Sequence, residues 1–238
     1  MTAVAAPPAP IGSSTPATRT VAVADGVFVA VAPIAMLRDL PCPEPDLASI
    51  GDLSAWRAAE RRAARVLLRR LLASVVPADI TGPDAATAPL GVRDRGQPYL
   101  VGRPDLAVSL SHSAPLVAVA VRTGGGQVGV DVQVPEPVGE NLVRRCCPAD
   151  ADRLLRLPGP ARDLAVAWTW SVQEACVKAT GAGLAARPWT IPVEPGGVTG
   201  HWRGLNWSAL RESFAIPLSC AWTRDRTRAP ENYGKEPS

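Results

Sequence analysis

The sequence predicts an α+β fold, on three observations. Two windows carry helical periodicity, 54–76 and 162–180. Short runs of alternating or continuous apolar residues stand around each window. Proline and glycine separate these runs at turn-like intervals. Each half of the chain thus offers a few strands and one long helix. No close sequence repeat is present, but the order permits a pseudo-symmetric pair of α+β halves.

Residues 1–19 are rich in Ala, Pro, Ser and Thr and read as a disordered tail. Residues 21–33 alternate apolar and small side chains like a strand. In the first helical window Leu68, Leu71, Leu72 and Val75 recur at i, i+3, i+4 and i+7, Ser54 is placed to cap the start, and Pro77 ends it. Residues 78–98 are turn-rich. Residues 106–113 and 116–122 then read as two strands around Ala114-Pro115, and Gly124-Gly125-Gly126 as a turn.

Residues 127–134 form the next strand, with Val128, Val130, Val132 and Val134 on one face. Gly129, Asp131 and Gln133 take the other, because strand side chains alternate. A looser helical region covers 139–157. In the second long helix Trp168, Val172, Ala175 and Ala179 make the buried stripe, and Gly181 and Gly183 suit its stop. Residues 189–193 and 214–223 read as further strands, and 224–238 as a loose tail. The corresponding division is a tail at 1–19, an N-terminal half at 20–123, a C-terminal half at 124–223 and a tail at 224–238.

Composition narrows the function classes. The chain has 238 residues, 47% hydrophobic and 20% charged, which reads as globular. A net charge of +3 does not announce a nucleic-acid binder. The 5 cysteines are an odd number without a C-x-x-C pair, so reduced thiols in a cytoplasmic protein are the simplest reading. No secretory signal is evident at the start, and no apolar run approaches the ~20 residues that span a bilayer. The expectation is a monomer with neither nucleic-acid nor membrane partners.

Asp131 is the sharpest single residue, because an aspartate among valines is disfavoured inside a strand. Gly129 beside it leaves room for a ligand to approach. Glu174 and Lys178 sit one helical turn apart. On most helices such a pair is a solvated i,i+4 contact. With Asp131, however, the set offers two carboxylates for a hard cation and one ammonium for a phosphate. Magnesium needs only one or two carboxylates when substrate phosphates and waters complete its shell, and Gln133 adds a carbonyl oxygen or holds a water.

Ser109-Leu110-Ser111-His112-Ser113 places His112 in a cluster of hydroxyls, a donor set for a phosphate. A serine hydrolase is disfavoured, since no G-x-S-x-G elbow exists and the remaining histidine is His201. Arg57, Arg61, Arg62, Arg65, Arg69 and Arg70 crowd the first helix. Arg57, Arg61 and Arg65 form one stripe with Glu60 as the nearby counter-charge. Like charges at that spacing repel, and the guanidinium fork suits a phosphate.

In order, the arginine helix, Gly96-Gln97-Pro98-Tyr99, Ser109 to Ser113, Gly129 to Gln133, and Trp170-Ser171-Val172-Gln173-Glu174-Ala175-Cys176-Val177-Lys178-Ala179-Thr180-Gly181-Ala182-Gly183-Leu184 resemble the 4′-phosphopantetheinyl transferase superfamily, in its long, surfactin-synthetase-activating (Sfp-like) class. The resemblance covers most of 55–190, and its last two motifs are the most specific.

It implies a pseudo-twofold pair of similar halves, each a small, mostly antiparallel sheet on a long helix, with coenzyme A between them. The implied reaction moves the phosphopantetheine arm of coenzyme A to a serine of an apo acyl or peptidyl carrier protein and releases adenosine 3′,5′-bisphosphate. By this resemblance Asp131 and Glu174, with Gln133 in the third place, bind Mg2+, with Mn2+ as the alternative ion. Glu174 is the base for the carrier serine, and Lys178 neutralises the pyrophosphate and assists the leaving phosphate. Arg61, Ser111 and His112 belong with the 3′-phosphate, and Gln97 and Pro98 lie along the adenine.

Three positions depart from the family pattern. Gln133 stands where many relatives have Glu. Gln173 and Gln97 stand where Lys is common, so positive charge near the phosphates is missing. The alternative that these glutamines motivate is a weak or inactive pseudo-enzyme that still binds carrier protein or coenzyme A. Retention of Asp131, Glu174 and Lys178 argues against it.

Overall fold

The computed structural model describes residues 18–48, 50–51, 53–77 and 84–224. The expected tails at 1–19 and 224–238 therefore lie outside the described residues, apart from their innermost positions. One of these, Arg19, belongs to a strand. It opens β1 (Arg19–Ala24), which turns through Asp25 and Gly26 into β2 (Val27–Pro33). The single strand expected over 21–33 is thus a hairpin. Gly26 takes φ +64° in the turn, and a bulge between Ala22 and Ala24 keeps the apolar alternation running through it.

Two short helices, α1 (Ile34–Leu37) and α2 (Glu44–Ala48), precede the long α3 (Ala55–Val75). Ser54 stands at the N-cap position of α3 but makes no side-chain capping bond. Tertiary packing supplies the stability instead. Leu67, Leu68, Leu71 and Leu72 are each at most 2% exposed, and truncating any one to alanine costs about 2–5 kcal/mol.

After the two-stranded β3 (Leu90–Val92) and β4 (Pro98–Leu100) come β5 (Ala107–Ser113) and β6 (Leu116–Arg122). These complete an antiparallel sheet in the order β1-β2-β6-β5. Every residue of β6 is buried. Its Val117, Val119 and Val121 pack on the leucines of α3. Leu116, Ala118 and Ala120 face the second sheet, where Val128, Val130, Val132, Leu218 and Cys220 meet them. A strand buried on both sides reads as a continuous apolar run, and LVAVAV is such a run.

The second sheet, β7-β10-β9-β8, is also antiparallel. It begins with β7 (Val128–Val132), reached through Gly124, Gly125 and Gly126, all at positive φ. Short helices α4 (Glu140–Cys146) and α5 (Ala151–Leu155) lead to the long α6 (Gly159–Thr180). Its stripe of Trp168, Val172, Ala175 and Ala179 packs on Trp207, Ala209 and Ala221. The helix stops where Gly181 adopts φ +66°, as expected.

Then β8 (Thr199–Trp202), β9 (Leu205–Ala209) and β10 (Leu218–Thr223) close the sheet. Residues 189–193 are not a strand: Pro188–Thr190 forms a 3-10 turn that drives Ile191 into the α6 core. The strand expected over 214–223 starts only at Leu218, because Phe214 is committed to the core between the sheets. The β8–β9 and β3–β4 hairpins were not expected from sequence. From one side to the other, the layers are α3, first sheet, second sheet, α6.

Candidate active site

The two sheets meet at a seam built from serine side chains. Ser109, Ser111 and Ser113 alternate along one face of β5. Their hydroxyl oxygens accept from the backbone N–H groups of Val130, Val132 and Val134 at 3.1, 3.3 and 2.9 Å. β7 pairs through its other edge with β10, so the hydroxyls satisfy amides that no strand covers.

His112 lies on the opposite face of β5, with Nδ1 3.4 Å from Glu60 Oε2 on α3. The expected hydroxyl cluster around His112 is therefore not formed. Alternation sends the serines to one side and the histidine to the other. Arg61, next to Glu60 in the chain, is exposed.

Gly129 fixes how close α6 comes to β7. A β-carbon there would overlap the Ala175 carbonyl oxygen and the Ala179 amide nitrogen. The room expected beside Gly129 for a ligand is filled by helix backbone. That close approach carries Lys178, one residue before Ala179, to Asp131 two residues along the strand.

Asp131 is 3% exposed. Its Oδ1 accepts from Ser111 Oγ at 2.8 Å and from Lys178 Nζ at 2.6 Å. Its Oδ2 accepts from Gln133 Nε2 at 2.7 Å. Lys178 Nζ also donates to Ser111 Oγ at 2.9 Å. Lys178 is therefore turned across to the strand, not spent on a solvated i,i+4 pair. Glu174, one turn earlier on α6, keeps a buried Oε1 without a hydrogen-bond partner among the described residues. Burial raises the Glu174 pKa, the nearby Asp131 charge raises it further, and Lys178 pulls it back in part.

These residues fit a hard divalent cation. Glu174 Oε1 is a carboxylate oxygen without a partner, and Asp131 Oδ2 keeps an unused lone pair. No group of three or more His, Cys, Asp or Glu clusters among the described residues. Waters and substrate oxygens would have to complete an ion's shell, as magnesium commonly accepts. Gln133 turns its amide nitrogen to Asp131, so in this geometry it holds the carboxylate in place.

A cavity of about 220 Å³ opens on Glu174 and Lys178 and is also lined by Arg95, Gln97, Pro98 and Gly181. Gln97 reaches α6, donating from Nε2 to the carbonyls of Lys178 and Ala179 at 3.5 and 3.4 Å. It thereby ties β4 to the end of the helix that carries Lys178. On the Gln133 side a separate groove of about 340 Å³ runs past Val138, Leu142 and Trp170. The groove and the Arg95 wall were not legible in the sequence, which offers no motif for either.

One expectation is corrected here. Gln173 is fully buried and donates from Nε2 to the carbonyls of Cys146 and Ile191 at 2.9 and 3.0 Å. One residue before Glu174 is about 100° around the helix, so Gln173 faces the interior and leaves no gap in charge near the cavity. Of the expected α3 stripe, Arg57 and Arg61 are exposed and Arg65 is buried, while two neighbouring arginines have partners of their own. Arg69 grips Asp46 of α2 through Nε and Nη2 at 2.7 and 2.8 Å, and Arg62 donates to the carbonyls of Leu37, Arg38 and Leu40. Asp46 is a counter-charge that sequence proximity to α3 does not reveal.

Comparison with known proteins finds likeness over the segment that carries these residues. Residues 127–204, which hold Asp131, Gln133, Glu174 and Lys178, match the model of the 4'-phosphopantetheinyl transferase superfamily. An L-aminoadipate-semialdehyde dehydrogenase-phosphopantetheinyl transferase of Eremothecium gossypii is 34% identical over 143 residues, covering 52% of this chain and 49% of that protein. A 4'-phosphopantetheinyl transferase of Bacillus subtilis is 27% identical over 122 residues, covering 51% of this chain and 54% of that protein. The chain spans about half the length of the curated relatives it matches. The likeness to the 4'-phosphopantetheinyl transferase superfamily thus lies on residues 127–204, the segment that carries Asp131, Gln133, Glu174 and Lys178.

Proposed function

We infer that this chain transfers the 4′-phosphopantetheine arm of coenzyme A to a serine of an apo acyl or peptidyl carrier protein. The observation that carries this reading is the contact of Lys178 with Asp131 beside the unpartnered Glu174. It brings an ammonium and two carboxylates of the matched segment together beside a cavity that Glu174 and Lys178 line. The carrier serine hydroxyl attacks the phosphorus that bears the pantetheine arm. The bond from that phosphorus to the oxygen bridging to the adenosine 5′-phosphate breaks, and adenosine 3′,5′-bisphosphate leaves.

Glu174 accepts the serine proton, directly or through a water. Its raised pKa makes the ionised form a better proton acceptor than an ordinary carboxylate. Lys178 keeps one N–H beyond those given to Ser111 and Asp131, and that donor meets the departing phosphate. Asp131 and Glu174 would hold Mg2+, with Mn2+ as the alternative, and the ion would supply charge neutralisation at the pyrophosphate. Gln97 and Pro98 lie along the adenine, and His112 with Arg61 receives the 3′-phosphate. Two openings flank Asp131, the cavity at Lys178 and the groove past Gln133. A two-substrate transfer needs two such approaches.

In this reading the two sheet-and-helix units are pseudo-twofold halves, 20–123 and 124–223, of a monomer of the long, Sfp-like class working in the cytoplasm. No described helix is long and apolar enough to cross a membrane. The net charge of +3 gives no support to a nucleic-acid partner. The test is the intact mass of an apo carrier protein after incubation with this chain, coenzyme A and Mg2+, with and without chelator. Gain of one phosphopantetheine arm, lost with chelator, is the expected result. Intact coenzyme A binding without transfer to any of several carriers would replace the reading with a binding pseudo-enzyme.

A further inference from the structure

We propose that Ser111 is a positioning residue of the transfer site, holding Asp131 and Lys178 in register and touching no substrate. The inference rests on the transferase reading above. A serine hydroxyl has one O–H to donate and two lone pairs to accept with. All three are committed here. Ser111 Oγ donates to Asp131 Oδ1 at 2.8 Å and accepts from Lys178 Nζ at 2.9 Å and from Val132 N at 3.3 Å. The residue is 4% exposed. It has neither a free valence nor a free surface for a phosphate, and His112 lies on the other face of the strand.

The three partners come from different places. Val132 and Asp131 belong to β7, and Lys178 to α6, while Ser111 belongs to β5 in the other sheet. Ser109 and Ser113 make the same seam bond to β7, but among the described residues Ser111 is the one of the three hydroxyls that reaches the charged pair. Ser111 thus couples the packing of one sheet against the other to the geometry of Asp131 and Lys178. Removing its oxygen leaves the pair in contact, with Asp131 still held by Gln133, but frees the direction of Lys178.

The test compares Ser111→Ala with wild type. In steady-state transfer, kcat falls about tenfold or more, as expected for loss of a hydrogen bond to charged groups, while the KM for coenzyme A stays within about twofold. A second readout does not depend on activity. Lys178 and Lys235 are the lysines of the chain, so limited acetylation with an N-hydroxysuccinimide ester, read by peptide mass, gives the Lys178-to-Lys235 labelling ratio. That ratio rises in Ser111→Ala and stays at the wild-type value in Ser109→Ala, which breaks only the equivalent seam bond. If Ser111→Ala does not melt cooperatively, Ser111→Cys is read in its place. An unchanged ratio, or a raised coenzyme A KM at unchanged kcat, overturns the proposal. Should the wild type transfer nothing, the functional reading fails, and the labelling ratio still decides the role of Ser111.

Discussion

Gly129 of β7 lies directly under the Ala175 carbonyl of α6, with no space for a β-carbon between strand and helix. This one contact sets the distance at which Lys178 meets Asp131. The obstructing atoms are helix backbone, which cannot rotate away. Gly129→Ala therefore forces α6 off the sheet. The expected cost is about 3 kcal/mol or more, at the upper end for overpacking a filled core. Thermal melting should show it. Transfer per folded molecule should fall as well, because the shift separates Lys178 from Asp131. A melting temperature equal to wild type would mean that the helix can move without penalty.

That contact also marks where sequence reading stops. Asp131 stood out because a charged residue among valines violates the local pattern. The leucines of α3 and the Gly181 stop of α6 were legible for the same reason, since periodicity and φ preference are local properties. The partner of Gly129 was not legible, because it comes from a helix more than forty residues later. The facing of Ser111 follows from strand alternation and was available. The hydroxyl-rich string around His112 obscured it. The Asp25-Gly26 turn was hidden by alternation that continues across a bulge. The direction of Gln173 depends on which side of α6 meets the 3-10 turn at Pro188–Thr190, and no motif encodes that.

Gln173 offers a clean separation of stability from chemistry. Its amide satisfies the carbonyls of Cys146 and Ile191, and it is fully buried. Gln173→Ala strands both carbonyls and leaves a cavity, with an expected loss of about 2–4 kcal/mol. Denaturant unfolding measures that loss. The kinetic constants of the remaining folded protein should match wild type. A selective loss of kcat would bring Gln173 back into the site.

Glu174 makes the metal-free protein pH-sensitive. Burial and Asp131 raise its pKa above the ordinary 4.5. A carboxyl with a raised folded pKa binds its proton more tightly in the folded state. Its contribution to stability is full below the ordinary value and is lost as pH rises through the raised one. Glu174→Gln should remove that decline and melt higher than wild type at neutral pH in chelator. The same substitution removes the base, so transfer should drop about 100-fold or more. Equal melting of the two proteins at neutral pH would show that Lys178 already offsets the buried charge.

Gln133→Glu tests how the carboxylate of Asp131 is held. The wild-type amide nitrogen donates to Asp131 Oδ2 at 2.7 Å. A glutamate oxygen at that distance accepts and cannot donate, and it adds a second negative charge facing the first. Without a divalent ion the variant should therefore melt below wild type, by about 1–3 kcal/mol, the cost of leaving the Asp131 oxygen without its donor. An added cation relieves the repulsion and gains a ligand. Mg2+ should consequently raise the melting temperature of Gln133→Glu more than that of wild type. The Mg2+ concentration giving half-maximal transfer should also fall. Calorimetric titration of Mg2+ into both proteins reads the affinity directly. Equal affinities, with the variant still less stable, would mean that position 133 serves only the orientation of Asp131 and does not reach the ion.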